Sequence, residues 1–306
     1  MALKVRIDYS PVYELISSYM LFTHRKWIRN VDHGSDWVKE VSNLLSEPLL
    51  ELSDKIGNVS INEYDALYAA SLEREAPYSV PAFLNQLKQM SSSAWQEMLN
   101  IYGIDVTDAL LERLQHYFIP ALELWYNDYF EASIPEWEQT LIDDANEKMQ
   151  LWRKMNPAEI IEVASNGVVF DMGDKLHEVI LAPLWHYRPI NNTCMFRDRS
   201  LLMYAVDVPE IDQDVPPVAL KRMIYALTHD VRLRILRFIS QKPVTFIELS
   251  EHVQLGKSAL RHHLVILRAA GYLRTYWNGE VERIALRQEG LADLSVFLED
   301  YVHLDG

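Results

Sequence analysis

Apolar residues recur along residues 1–165 with helical spacing. Val12, Leu15, Ile16, Tyr19 and Met20 fall at i, i+3, i+4, i+7 and i+8 behind Ser10-Pro11, a helix start with proline in its first turn. The spacing predicts a second helix from about Ser35 through Trp37, Val41, Leu44 and Leu45, bending near Pro48. A third carries Ala94, Trp95, Met98, Leu99 and Tyr102, and a fourth, capped by Thr107, turns Leu110, Leu111 and Leu114 inward. Ser133-Ile134-Pro135-Glu136 has capping-box spacing ahead of Trp137, Leu141, Ala145, Met149 and Trp152. Asn156-Pro157 opens one more short helix.

Then the texture changes. Residues 168–170, 179–181 and 201–206 are short β-type runs between turn residues. They predict a small β segment, 166–207, attached to the helical domain 1–165. Residues 208–217 (VPEIDQDVPP) hold three prolines and no helical period, and are expected to be a linker.

From Val218 onward the order of elements is specific. Leu220, Met223, Ile224 and Leu227 make a first helix, and Val231 to Ser240 a second. Thr245-Phe246-Ile247-Glu248 is a capping box for a third, which runs to about Val253. Gln254-Leu255-Gly256 is a short turn, and a fourth helix follows to Ala270 and stops at Gly271. Tyr272 to Trp277 and Glu280 to Leu286 flank Asn278-Gly279, a hairpin signal in which both turn positions take positive φ. Helix-turn-helix plus hairpin is a winged helix, expected over 218–306. A last helix spaces Leu291, Leu294, Leu298 and Tyr301 for pairing with a second copy, or for packing on the chain's own N-terminal domain. The fold class is mainly α (α+β).

The 306 residues suit about two domains. Net charge is −15, yet residues 218–306 hold twelve Lys/Arg against ten Asp/Glu, which leaves −17 on the rest. Such asymmetry suits a nucleic-acid-binding end on an acidic body. No apolar run reaches the ~18 residues of a membrane span, and the first nine residues lack an apolar signal core. With a single cysteine, Cys194, the expected location is cytoplasmic, with no membrane partner. Neither GxGxxG nor GxxxxGK[ST] occurs, His177-Glu178 does not extend to HExxH, and no cofactor or enzyme activity is expected.

On the fourth helix Leu260, Leu264 and Leu267 share an inward face, while Ser258, Arg261, His262 and Val265 share another. A helix in the major groove presents one such face. Arg261 can hold guanine O6 and N7 with two hydrogen bonds, Lys257 and Ser258 sit where a helix N-terminus attracts phosphate, and His262 can donate to phosphate or base. Arg268, and Arg274 and Arg283 on the hairpin, complete the expected DNA-contacting set. Glu280 and Glu282 would repel phosphate at the wing, so the wing either contacts DNA weakly or packs on the body, with Trp277 as a candidate anchor.

The stretch Ala226 to Leu236 (ALTHDVRLRIL) resembles the opening signature of the ArsR family of bacterial winged-helix repressors. Leu249, Leu255, Ser258-Ala259-Leu260, His262-His263-Leu264 and the run Ile266 to Gly271 continue in register with it, so the resemblance covers about 218–290. Val179 to Trp185 and Leu202 to Tyr204 resemble the region of unassigned function that precedes the winged helix in long ArsR-like regulators. The resemblance implies a sequence-specific DNA-binding transcriptional regulator, a repressor, working as a homodimer on double-stranded DNA. Its metal sites are not matched: the third helix has no cysteine pair, the last helix has only His303, and adjacent His262 and His263 point ~100° apart. The N-terminal region is left with two roles, sensing a small-molecule or protein effector or holding the dimer. The alternative for the whole is a winged-helix protein-interaction module, suggested by Tyr276, Trp277 and Glu280 at the wing.

Overall fold

The computed structural model describes residues 3–210, 212 and 214–302. Ile211 and Gln213 of the expected linker, and His303 of the last helix, lie outside them. The first elements are β1 (Lys4–Ile7), α1 (Pro11–Thr23), α2 (Gly34–Ser42), α3 (Glu47–Gly57), α4 (Tyr64–Leu72), α5 (Val80–Gln89) and α6 (Ser92–Tyr102). Next come α7 (Asp108–Arg113), α8 (Ile119–Trp125), α9 (Glu131–Ser133) and α10 (Glu138–Trp152). Then follow α11 (Pro157–Ser165), β2 (Val168–Phe170), β3 (Glu178–Leu184), β4 (Asn192–Met195) and β5 (Arg199–Ala205). The C-terminal elements are α12 (Val218–Ala226), α13 (Asp230–Ile239), β6 (Val244–Thr245), α14 (Phe246–Val253), α15 (Lys257–Ala269), β7 (Leu273–Trp277), β8 (Glu282–Leu286) and α16 (Gln288–Val302). The chain is mainly α with β segments, as the sequence pattern predicts.

Two compact units result: residues 2–149 with 177–206, and residues 150–176 with 207 onward. In the first, Ser10 caps α1 by accepting from the Val12 amide, with Pro11 in the first turn. The predicted one-sided stripe understates this helix, because Pro11 through Phe22 are buried on every side. A helix buried all round must satisfy its polar side chains internally. Glu14, fully buried, accepts from the Trp185 amide and pairs with Nδ1 of the equally buried His186. Tyr129 continues the network, lying 3.0 Å from His186 Nε2 and accepting from Trp37 Nε1 at 2.9 Å.

The sheet of this unit has the order β1-β3-β5-β4. β1, β3 and β5 are parallel, and β4 runs antiparallel to β5. Both central strands are buried almost throughout, which explains their unbroken apolar runs. Two helix readings are corrected. The helix expected through Leu45 ends at Ser42, Leu44 is exposed, and α3 begins afresh with Pro48 in its first turn. The Ser133 hydroxyl donates back to the Phe130 carbonyl at 2.8 Å instead of capping α10; Ile134–Glu136 is a 3-10 turn, and Met149 is exposed.

The second unit is the winged helix with an addition. β7 and β8 form the hairpin, β6 pairs with β8, and β2 pairs in parallel with β7, giving the order β2-β7-β8-β6. The expected single β segment 166–207 is therefore divided: 168–170 joins the wing, while 178–205 builds the other unit's sheet. Gly167 permits the approach of β2, since at its φ of 118° a Cβ would lie 2.2 Å from the Leu273 carbonyl oxygen. The Asp171 amide reaches the Trp277 carbonyl at 2.8 Å, so β2 follows β7 to the wing tip.

Two outcomes follow from these contacts. Asp65 of α4 is pushed up to about 6 by burial, with the Cys194 thiol opposing the rise through a hydrogen bond. A carboxyl raised in the folded state stabilises the fold below its unfolded value and loses that contribution as pH climbs through about 6. Asp65→Asn should abolish this slope and, above neutrality, raise stability by about 2 kcal/mol, as read by denaturant melts at a series of pH values. On the wing, Arg274 of β7 is held by Glu162 of α11 and by Glu289 at 3.2 Å. Glu162→Gln should cost about 1 kcal/mol and speed amide hydrogen exchange across β7.

Candidate nucleic-acid interface

The helix-turn-helix is set by local capping. The Thr245 side chain accepts from the Glu248 amide while Glu248 reaches back to the Thr245 amide, the predicted capping box. Both groups being satisfied, the box holds Glu248 below the ordinary carboxyl value. α14 ends at Gln254, a left-handed residue at φ 56° whose amide bonds the Ser250 carbonyl, and α15 starts after Gly256. α13 is capped by His229, whose Nδ1 accepts from the Val231 amide at 3.2 Å; Asp230 is the first helical residue, not the cap.

Leu260, Leu264 and Leu267 of α15 are buried in the core formed with Ile235, Ile239 and Leu249. Lys257, Ser258, Arg261 and His262 are exposed, and Val265 is half-exposed. The Arg261 guanidinium lies over the Phe246 ring, 5.7 Å from its centroid, which supports the side chain from below without using its donors. His263 is turned partly inward, where burial and the neighbouring His229, His262 and Arg232 hold it below the ordinary imidazole value.

The other expected contacts divide. Arg268 is ion-paired with Glu282 and reaches Thr275 at 3.3 Å, so the expected repulsion from Glu282 is largely neutralised at its source. Arg274 is engaged on the side of the hairpin covered by β2 and α11, as described above. Arg283 is exposed and has no ion-pair partner among the described residues. The hairpin loop spans Asn278 to Val281, since Trp277 pairs with Glu282. Only Gly279 there has positive φ, and Asn278 Oδ1 accepts from the Glu280 and Val281 amides at 3.0 and 2.8 Å. The two-residue turn expected from Asn-Gly is thus replaced by a side-chain-closed loop.

Several basic residues counted in the sequence are structural. Arg232 is buried beneath Tyr225, donating to its carbonyl at 2.9 Å. Arg222 pairs with Asp207 and Arg287 with Asp293. Arg234, Arg237 and Lys242 are exposed without an ion pair among the described residues, and join Lys257, Arg261 and Arg283 as free positive charge. Arg234, Arg237 and Lys242 lie outside the contact set expected from the sequence. Their signal was the alternation of Arg with Leu and Ile along α13, which places the arginines away from Ile235, Leu236 and Ile239.

On α16, Leu294 packs against the unit's own core and the Tyr301 hydroxyl donates to the Asp214 carbonyl at 3.0 Å. Leu291 and Leu298 remain 46% and 44% exposed, and Val296, Phe297 and Val302 are also exposed. The four expected pairing residues therefore do not form one free stripe: two face inward contacts and two face out. No helix among the described residues is long and apolar enough to cross a membrane.

Residues 229–275 match the sequence model of the family described as bacterial regulatory protein, arsR family. Two solved structures are similar. One is an ArsR-family transcriptional regulator, 24% identical over 28% of this chain and 89% of that one, with a TM-score of 0.25. The other is HlyU from Vibrio cholerae, 26% identical over 27% of this chain and 89% of that one, with a TM-score of 0.23. No curated protein sequence matches the chain. The C-terminal part of the second unit is thus an ArsR-type winged helix-turn-helix, the DNA-binding module of transcriptional regulators.

Proposed function

We propose that the chain is a sequence-specific DNA-binding transcriptional regulator, a repressor, that binds its operator as a homodimer with α15 in the major groove. The observation that carries this reading is the outward face of α15, where Lys257, Ser258, Arg261 and His262 are exposed together and unpaired by carboxylates. Arg261 reads base edges, Lys257 and Ser258 hold phosphate at the helix start, and His262 and Val265 complete the contact face. Arg283 adds a phosphate contact. Arg268 and Arg274, being tied to Glu282, Glu162 and Glu289, set the wing's position and contribute less to the duplex.

The exposed apolar residues Leu291, Phe297 and Leu298 of α16 support pairing with a second copy, which would cover them. A two-fold dimer sets the two copies of α15 about 34 Å apart, one turn of duplex. The first unit is proposed to receive an effector, and the location is the cytoplasm, where the operator is accessible.

The test is binding to a fragment of the chain's own promoter, compared with scrambled duplex, over a salt series. Arg261→Ala should lose about 1–3 kcal/mol and most of the preference for promoter over scrambled sequence. Lys257→Ala should weaken both duplexes alike and lower the salt slope by about one. Unchanged preference in Arg261→Ala removes Arg261 as the reader, and wild-type affinity that is insensitive to salt removes the DNA reading altogether.

A further inference from the structure

The first unit contains a cavity of about 590 Å³, within the range of small-ligand sites. It is built from four places in one fold: Glu63, Asp65 and Ala66 around the start of α4, Tyr102 to Asp105 at the end of α6, Leu110 and Arg113 of α7, and Met195 to Arg197 at the end of β4. Its apolar base is the buried Tyr102 ring set edge-on to Phe196, with centroids 4.9 Å apart, together with Ala66 and Leu110.

The charged groups on its walls are Glu63, Asp65, Asp105, Arg113 and Arg197, of which Asp105 and Arg197 are solvent-exposed, and they are unevenly satisfied. Glu63 and Arg113 neutralise each other through a two-pronged pair at 2.8 and 2.5 Å. Asp65 has no cation against it among the described residues: its partner is the thiol of buried Cys194, and burial pushes that thiol up so that it stays a proton donor. Arg197, on the other wall, has no carboxylate partner among the described residues. Its side chain is laid along Gly103, where a Cβ would approach Arg197 Cβ to 3.2 Å, and its amide donates to the Tyr102 carbonyl at 3.1 Å. Gly103 is left-handed at φ 73°, so both its backbone and the close passage of Arg197 call for glycine.

Among the described residues the half-buried Asp65 carboxylate has no cation and the Arg197 guanidinium no carboxylate; with apolar surface between them in one cavity, and the exposed Asp105 adding negative charge, they are complementary to a small molecule that carries both charges. We propose that this cavity binds a free amino acid, its ammonium set against Asp65, its carboxylate held by the Arg197 fork, and its side chain lying over Phe196 and Met195. A desolvated carboxyl that resists ionisation when alone regains its charge when an ammonium arrives, so Asp65 favours the amine-bearing ligand over a plain acid. The proposal deepens the effector role given to this unit above and rests on that reading only for its regulatory meaning.

Calorimetric titration of the full chain without DNA, using the standard L-amino acids singly, tests it. At least one should bind the wild-type protein, and the counterparts of that amino acid lacking the amine or the carboxylate should bind at least about tenfold more weakly, the loss of one charge-assisted contact. Asp65→Asn should lose the preference for the amine, and Arg197→Gln the preference for the carboxylate. Both substitutions are expected to leave the fold intact, which a melt of each variant checks. Failure of every amino acid to bind, or equal binding by wild type and both variants, overturns the proposal. Because no duplex is present, that failure is distinct from failure of the DNA-binding reading.

Discussion

The rotation of α15 about its own axis is the constraint on which the functional surface depends. Leu260, Leu264 and Leu267 are all buried in the C-terminal core, and truncating any one would cost about 2–5 kcal/mol. With that stripe fixed inward, the geometry of the helix leaves Ser258, Arg261, His262 and Val265 no place but the opposite side. The polar face is therefore a consequence of core packing, not of any attraction holding it out. The same logic extends to Arg261, whose guanidinium is supported by the Phe246 ring of the preceding helix while its donors stay available. A turn closed by left-handed Gln254 fixes the relation of the two helices.

What was legible in the sequence was local. The capping box at Thr245, the helix start at Asn156-Pro157, the cap at Thr107 and the glycine stop at Gly271 act within a turn of themselves, and each lies where the residues place it. What was not legible involves partners far along the chain. The run 168–170 reads as β-type, but its partner β7 lies more than a hundred residues away, and no periodicity announces that pairing. Arg274 reads as a wing cation until Glu162 is brought against it across 112 positions of sequence. Ser133 has capping-box spacing, yet a hydrogen bond to Phe130 at the end of the preceding helix competes for its hydroxyl. Sequence spacing names the candidates for a contact; tertiary packing decides which of two competing partners wins.

The first unit shows the same division at larger scale. The stripe along α1 correctly marks one face, but burial of the whole helix turns Glu14, Ser17 and Ser18 into core residues. The Glu14 carboxyl group, at zero exposure, has its hydrogen bonds supplied by the chain after β3, from the Trp185 amide and the His186 ring. The segment Val179 to Trp185 is thus the central parallel strand, and its end supplies the partners of a buried carboxyl group. Its pattern is explained by packing between β1 and β5 before any ligand role is invoked.

Charge counting by segment overstates how basic the winged helix is toward a partner. Arg222, Arg268, Arg274 and Arg287 are spent on carboxylates of their own unit, and Arg232 is buried against Tyr225. The cations without an ion pair among the described residues lie on α13, at Lys242, on α15 and on β8, Lys242 and Arg283 having the Glu248 carboxylate in their field. Non-specific affinity for duplex scales with the phosphates neutralised, each worth about 0.9 in the salt slope. Six unpaired cations in place of the twelve counted by segment halve the phosphate contacts such a surface can make. The unpaired charge is thus a short row along α13, α15 and β8 and not a broad positive field.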